Sequence, residues 1–174
     1  MLYFVLSIEV LLIILLMIFI ISFGIPFFTG APFAPSAKKG VKKMIELAGA
    51  KEGDVAVDLG SGDGRIVIAL ARAGAEAHGY EINRFLAWYS MTKIRMTGLD
   101  QKAFIHGGNF FKEDLSKYNV VIIFGIFNIM EKLGEKLKKE LKPNAIIICN
   151  NFSLPNWEPI KKEGKFYVYK KSLG

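Results

Sequence analysis

A glycine-rich turn that follows a short apolar run could bind a polar ligand. The run covers residues 55–59, and the turn alternates glycine with small polar residues in the order Gly60, Ser61, Gly62, Asp63 and Gly64. Glycine has no Cβ, so the backbone there can adopt positive φ angles and approach a ligand closely. A helix is predicted to begin at Arg65, and its first N–H groups would point at the same ligand.

Two carboxylates accompany this turn. Asp58 comes just before it, and Glu81 ends the next apolar run, which predicts a carboxylate at the tip of the second strand, within reach of a ribose diol. A dinucleotide fingerprint would require glycine where Arg65 stands. A glycine turn alone could be a structural loop, but a turn with both carboxylates favours a nucleoside-containing cofactor.

The spacing of the turn is more specific than its composition. The pattern Asp58-x-Gly60-x-Gly62-x-Gly64 resembles motif I of the S-adenosylmethionine (SAM) methyltransferases with a Rossmann-like sheet, and the resemblance includes Glu81. In those enzymes a polar side chain after the third strand usually reads adenine. The resemblance therefore implies SAM as the cofactor. It implies a binding site made of Asp58, Gly60, Ser61, Gly62, Gly64, Glu81, Asn109 and Phe110.

The chain begins with a strongly apolar segment. In residues 1–28 the only charged residue is Glu9. This run exceeds the roughly 20 residues that are needed to cross a hydrocarbon core, so we predict a transmembrane anchor over residues 1–25. A cleaved signal peptide is the alternative, but no Lys or Arg precedes the run, and the run is longer than an ordinary signal-peptide core.

Basic residues follow the predicted anchor. The chain has a formal net charge of +7, and no Lys or Arg occurs before the cluster Lys38, Lys39, Lys42 and Lys43. The positive-inside rule then predicts that the catalytic part lies on the cytoplasmic, or topologically equivalent, side of a membrane. We expect these lysines to contact anionic headgroups. Nucleic-acid binding is the rival use of such charge.

The rest of the chain predicts one α/β domain. Residues 26–36 are rich in proline and aromatic residues and are predicted as a linker. Residues 37–174 form the predicted methyltransferase domain, in which apolar runs alternate with helical patterns. This alternation predicts a Rossmann-like, doubly wound sheet with helices on both faces. Its last helix is expected over residues 131–141 and its edge strand over residues 165–170.

Six segments carry a resemblance to a narrower family. They are residues 32–36, 58–68, 79–83, 88–90, 121–125 and 151–159. In order, they resemble the membrane-anchored mitochondrial protein-lysine methyltransferases, whose targets are the adenine nucleotide translocase and the ATP synthase c subunit. The chain is also similar to small soluble archaeal protein-lysine methyltransferases and, more distantly, to the non-SET histone-lysine methyltransferase. One departure is Ala34, where the family usually has valine.

That resemblance implies a membrane-anchored, SAM-dependent protein-lysine N-methyltransferase. It also implies that the linker over residues 26–36 is the entrance to the active site. Methyl transfer from a sulfonium is an in-line displacement, so the enzyme mainly needs alignment and a neutral nucleophile. An apolar, aromatic channel encourages a lysine to lose its proton, because it disfavours the ammonium form. Candidates for the substrate channel are Phe33, Pro35, Asn128, Phe152 and Trp157, with helix capping as the alternative role of Asn128. No residue identifies itself as a general base.

Other functions are less well matched. The stretch 124–128 reads Phe-Gly-Ile-Phe-Asn, whereas enzymes that methylate base nitrogens commonly carry Asn/Asp-Pro-Pro-aromatic there, so nucleic acid is an unlikely substrate. The sequence contains no Cys/His cluster that would suggest a metal site. The lone Cys149 is expected to be a buried thiol. His106 is expected to have a structural role. Two further functions stay open: a SAM-dependent methyltransferase acting on a lipid or small molecule, and a non-catalytic membrane adaptor with a SAM fold.

Overall fold

The computed structural model of the protein describes residues 2–19, 38–125 and 127–172, with the backbone alone for residues 2–7 and 19. The Cα positions divide the chain into two compact units, residues 1–34 and residues 35–174. The predicted linker over residues 26–36, which includes the channel candidates Phe33 and Pro35, lies outside the described residues.

The first unit contains helix α1 (Leu2–Phe19). Its described side chains, residues 8–18, are all exposed, and the apolar ones among them have exposed fractions between 43% and 60%. Across the described residues, no helix combines the length and apolarity that a membrane crossing requires. The predicted anchor extends beyond the described residues, to residue 25.

The second unit is built on a seven-stranded sheet in the order β3-β2-β1-β4-β5-β7-β6. The first five strands run parallel, and β7 runs antiparallel to both β5 and β6. Their bounds are β1 (Val55–Leu59), β2 (Glu76–Glu81), β3 (Ala103–Gly107), β4 (Val120–Ile123), β5 (Ile146–Asn150), β6 (Lys161–Glu163) and β7 (Phe166–Lys170). The carboxyl ends of the five parallel strands therefore meet at one edge, where ligands bind in open α/β sheets.

Helices cover both faces of the sheet, as the sequence predicts. They are α2 (Lys38–Ala48), α3 (Arg65–Arg72), α4 (Arg84–Met96) and α5 (Phe127–Glu140). Apolar residues of α2, α3 and α4 join one buried core, and those of α5 join a second core on the other face. Burial of both faces explains why β4 reads as the uninterrupted apolar run Val-Val-Ile-Ile.

Two elements differ from the sequence prediction. Helix α5 begins at Phe127, four residues before the predicted start at Glu131, so the exposed Asn128 lies within its first turn and does not cap it. Strand β6 is not predicted at all. Its sequence, Lys-Lys-Glu, has no apolar alternation, and only antiparallel pairing with β7 defines it as a strand.

The two histidines of the chain form a pair across neighbouring strands. His78 on β2 stacks on His106 on β3 with ring centroids 5.1 Å apart, and Nδ1 of His78 lies 2.8 Å from Nε2 of His106. The other ring nitrogen of His78 lies 2.9 Å from Oε1 of Glu76. His106 is thus a structural residue, as expected, but it has a partner that strand-by-strand inspection of the sequence does not reveal.

This pair predicts a pH dependence of stability. Burial lowers the pKa of both His78 and His106. The unfolded chain takes up protons below about pH 6.5, while the folded pair resists protonation, so the free energy of unfolding should fall as the pH decreases from 7.5 to 5.5. Chemical denaturation across this interval measures the slope. The double variant His78→Gln/His106→Gln should lose this contribution, and an unchanged slope would contradict it.

Candidate active site

The predicted ligand-binding turn closes onto the end of β2. The backbone N–H groups of Gly60 and Ser61 both donate to the carbonyl oxygen of Tyr80, at 3.0 and 2.9 Å. The N–H of Gly62 donates to Oε2 of Glu81 at 2.8 Å. We call this arrangement, residues 58–64 together with Glu81, the glycine cup. It lies at the carboxyl ends of the neighbouring strands β1 and β2.

Gly64 and Gly79, next to the cup, lie so close to neighbouring side chains that neither position has room for a Cβ atom. Gly64 has a φ of 74°, and a Cβ there would lie 2.8 Å from Cβ of Ser90 on α4. Gly79 lies within β2, and a Cβ on it would lie 2.6 Å from Cβ of Ser61 and 2.7 Å from Cγ2 of Val67. The absence of side chains at both positions lets β2, α3 and α4 pack directly against the turn.

We expect Gly79→Ala to destabilise the protein and to weaken ligand binding. The added methyl group overlaps Ser61 and Val67, and such overpacking costs about 1–3 kcal/mol of unfolding free energy. Gly40→Ala is the matched control, because a Cβ at Gly40 within α2 meets only Cζ of Phe166 at 3.8 Å. Chemical denaturation of the two variants should separate them. Equal stability of the two would refute the steric role of Gly79.

The cup is acidic. Asp58 is only 1% exposed and Glu81 8% exposed, and Asp63 lies on the same turn. Burial raises the pKa of Asp58 well above its usual range, and the charges of Glu81 and Asp63 raise it further. Buried carboxylates placed together favour a cationic ligand and repel phosphate. The cup therefore suits a positively charged ligand better than a dinucleotide.

Asp63 has a structural task within this cluster. Its carboxylate accepts a hydrogen bond from Nε of Arg65 at 2.8 Å and another from Nζ of Lys93 at 2.9 Å. Burial alone would raise the pKa of Asp63, but the hydrogen bonds from Arg65 and Lys93 lower it to about 2. Asp63 stays ionised and ties the turn to α3 and α4.

The backbone N–H groups of the turn form hydrogen bonds within the protein. Those of Gly60, Ser61 and Gly62 bond to β2, as described above. The N–H of Gly64 donates to the carbonyl of Ser61 at 2.9 Å, and that of Arg65 lies 3.3 Å from Oδ1 of Asp63. The prediction that the first N–H group of this helix points at the ligand is thus wrong for Arg65. The N–H groups of Gly60, Ser61, Gly62, Gly64 and Arg65 are therefore occupied within the protein.

Three polar side chains point into buried space without a partner. Within the described part of the chain, Oδ1 of Asp58, Oγ of Ser61 and both polar atoms of Asn150 are buried and form no hydrogen bond. An unpartnered buried polar atom is costly, so such groups are retained where a ligand completes them. Asp58 and Ser61 belong to the predicted site.

Asn150 is not among the site residues predicted from the sequence. It ends β5 at the same edge of the sheet as the cup and is only 1% exposed. The available signal was a single polar residue that closes the apolar strand Ile-Ile-Ile-Cys-Asn. At a carboxyl strand end, such a residue indicates ligand contact.

The structure places Asn109 beside the cup. The N–H of Gly108 donates to the backbone carbonyl of Glu81 at 2.9 Å, which brings the segment after β3 to the end of β2. Oδ1 of Asn109 accepts a hydrogen bond from the N–H of Phe111 at 3.0 Å and caps a short 3-10 helix (Phe110–Lys112). Phe110 is half-buried against the Phe111 ring, with centroids 4.6 Å apart.

The described channel candidates have structural contacts of their own. Phe152 and Trp157 are half-buried against the core on the α5 side. The Trp157 ring lies 5.7 Å from the Tyr169 ring, and Nζ of Lys138 lies 5.4 Å from the centre of the indole. These contacts do not test a role in substrate binding, which stays a prediction, as it does for Asn128. Among the described residues, no group of three or more His, Cys, Asp or Glu could hold a metal ion.

Comparison with known proteins identifies the family. Residues 58–161, more than half of the chain, match the ANTKMT methyltransferase domain. The chain belongs to the ANTKMT methyltransferase domain family. The glycine cup, Asn109 and Asn150 all lie within the matched region.

Relatives of this methyltransferase domain include enzymes named for lysine methylation. The ATP synthase c-subunit lysine N-methyltransferase of Xenopus laevis is 38% identical over 82% of this chain and 64% of its own length. The protein-lysine N-methyltransferase of Saccharolobus islandicus is 38% identical over 74% of this chain and 81% of its own length. The chain spans only 54% of the human ATP synthase c-subunit enzyme, so it covers less than two thirds of these animal relatives.

A solved structure shares the fold. The crystal structure of an RNA methyltransferase from Salinibacter ruber, in complex with S-adenosyl-L-homocysteine, has a TM-score of 0.77 and 32% identity. It matches 81% of this chain and 95% of its own. The predicted Rossmann-like methyltransferase fold is thereby confirmed, and the observed sheet has seven strands.

Proposed function

We propose that this protein is a SAM-dependent protein-lysine N-methyltransferase. The observation that carries the proposal is the acidic glycine cup, in which Oδ1 of Asp58 is buried without a partner beside Glu81. Membership of the ANTKMT family and the names of the Xenopus and Saccharolobus relatives support lysine as the acceptor.

The residues of the cup fit SAM. The cofactor carries a sulfonium and an ammonium group, and both would lower the energy of an ionised Asp58. Glu81 uses its two oxygens to accept N–H bonds from Gly62 and Asn83, which leaves lone pairs for a ribose diol. Asn109 and Phe110 follow the next strand, where a polar and an aromatic side chain can contact adenine.

Bound SAM would supply an electrophilic methyl group. The chain's own task is to align a neutral amine behind that group. Asn150 would do so, because its buried Oδ1 forms no hydrogen bond within the protein and could accept one from the amine, which would fix the direction of the nitrogen lone pair. Burial of the incoming lysine disfavours its ammonium form, so the proton leaves to solvent as the side chain enters.

A membrane location is part of the proposal. Its support is the apolar sequence of residues 1–28 and the exposure of apolar side chains throughout the described part of α1. A helix that is apolar on every side requires apolar surroundings. The catalytic domain would lie on the cytoplasmic, or topologically equivalent, side, and the substrate would be a protein within reach of that surface.

Labelled methyl transfer tests the proposal. Purified protein is incubated with SAM carrying a labelled methyl group and with a membrane or cytosolic extract. We expect label in protein that resists ribonuclease and lipid extraction, and that resides on lysine after hydrolysis. Label confined to RNA would instead assign the activity named for the Salinibacter relative. Label confined to lipid or small molecules would assign a lipid or small-molecule methyltransferase, and SAM binding without any transfer would assign a non-catalytic adaptor.

A further inference from the structure

An exposed aromatic surface covers the start of α4. Phe85, Trp88 and Tyr89 have exposed fractions of 54%, 59% and 45%, and the preceding Ile82 is 45% exposed. The rings of Phe85 and Trp88 lie 6.0 Å apart. Single exposed apolar residues are ordinary, but a cluster of aromatic side chains marks a contact surface.

A basic groove lies between α2 and α3. It has a volume of about 780 Å³ and an apolar floor that includes Val41, Ile45 and Ile68. Lys38, Lys42 and Arg72 also line it, and none of the three forms an ion pair with any residue that the structure describes. These cations are available to a ligand.

The structure divides the basic cluster predicted from the sequence. Lys43 is neutralised within the protein, because its ammonium group pairs with Glu46 and Glu163, and these hydrogen bonds raise its pKa. Lys39 does not line the groove. Lys38 and Lys42, one helical turn apart, are therefore the members of the cluster that face this cavity.

The aromatic surface and the groove are continuous. Tyr89 and Lys93 are four residues apart on α4 and so share one face of that helix. Lys93 lines the groove, so Tyr89 lies one helical turn from a residue of the groove wall. We call the combined surface, Phe85, Trp88, Tyr89, Lys38, Lys42 and Arg72, the docking face.

We propose that the docking face rests on the surface of an anionic phospholipid bilayer. Aromatic side chains favour the membrane–water interface, and free Lys and Arg beside them complement anionic headgroups. The apolar groove floor can accept the glycerol and upper acyl region of one lipid. Ten residues separate Phe28, in the apolar segment, from Lys38, and a chain of that length spans at most about 35 Å. If the apolar segment is in a membrane, Lys38 therefore lies within about 35 Å of Phe28.

Fluorescence of Trp88 tests the inference in the full-length chain. The protein contains two tryptophans, so Trp157→Phe leaves Trp88 as the only one. The variant is reconstituted into nanodiscs that contain brominated phosphatidylcholine with either phosphatidylserine or ordinary phosphatidylcholine. We expect stronger quenching of Trp88 in the phosphatidylserine discs. Adding Lys42→Ala and Arg72→Ala should weaken docking about 25-fold, since each cation near an anionic surface contributes a factor of about five.

Matched variants define what would overturn it. Lys39→Ala with Arg95→Ala removes the same charge from two exposed residues outside the groove and should leave quenching unchanged. An equal loss in this control would reject the groove as the binding site. If brominated lipid quenched Trp88 in neither kind of disc, the docking face would be rejected. A blue-shifted Trp88 emission would not rescue it, because contact with protein alone can shift the emission. The inference rests on the proposed membrane location, and lysine labelling that persists despite absent quenching would reject docking alone.

Discussion

Replacing Glu81 by alanine should lower the affinity for SAM at least about 100-fold. Glu81 is expected to bind the ribose diol through charge-assisted hydrogen bonds, each of which contributes about 1.5–3 kcal/mol. The same carboxylate accepts the N–H groups of Gly62 and Asn83 at 2.8 Å, so its removal also releases the turn. Isothermal titration calorimetry with SAM measures the effect.

Two comparisons make this result specific. Glu113→Ala removes an equal charge from an exposed residue after the 3-10 helix and should retain full affinity. Thermal unfolding without cofactor shows whether Glu81→Ala still folds. A folded Glu81→Ala protein that binds SAM as tightly as the wild type would show that the carboxylate does not contact the cofactor.

Replacing Asn150 by leucine should lower kcat without lowering the stability of the protein. Leucine has a similar volume and removes two buried polar atoms that form no hydrogen bond, so the free energy of unfolding should be unchanged or higher. Misalignment of the acceptor amine should lower kcat about 100-fold. Cofactor affinity should stay close to that of the wild type, because Asn150 ends β5 and is not part of the glycine cup.

Methyl-transfer kinetics and chemical denaturation of the same preparation measure both quantities. Ser153→Ala, in the exposed loop after β5, is the control and should leave kcat unchanged. An Asn150→Leu protein with normal kcat would show that Asn150 does not touch the substrate. A strongly destabilised Asn150→Leu protein would show that the amide is a structural element of the core.

The cup was predictable because its signals are local. A strand-forming run, three alternating glycines and a carboxylate at the next strand end place Asp58, Gly62 and Glu81 in one region, since consecutive parallel strands are neighbours and their carboxyl ends meet. The five parallel strands and the two-sided helix cover followed from the same alternation of patterns. In this part of the fold, the structure predicted from local sequence patterns is the same as the structure formed by tertiary packing.

The features that were missed depend on contacts distant in sequence. The N–H groups of the turn are occupied by Tyr80 and Glu81, about twenty residues away, and only the register of β1 against β2 reveals this. The partner of His106 lies 28 residues earlier, on the neighbouring strand. Strand β6 exists through its pairing with β7 rather than through its own composition. The lack of a hydrogen-bond partner for the Asn150 side chain likewise depends on how the core packs around it.

Quantitative mass spectrometry of lysine methylation, in cells with and without this protein, tests the central claim most directly. Cells that lack it are complemented with either the wild-type chain or Glu81→Ala. We expect one or more methylated lysines to disappear without the protein, to return with the wild type and to stay absent with Glu81→Ala. Identical lysine methylation in all four samples, with methylation of RNA, lipid or small molecules changed instead, would contradict it.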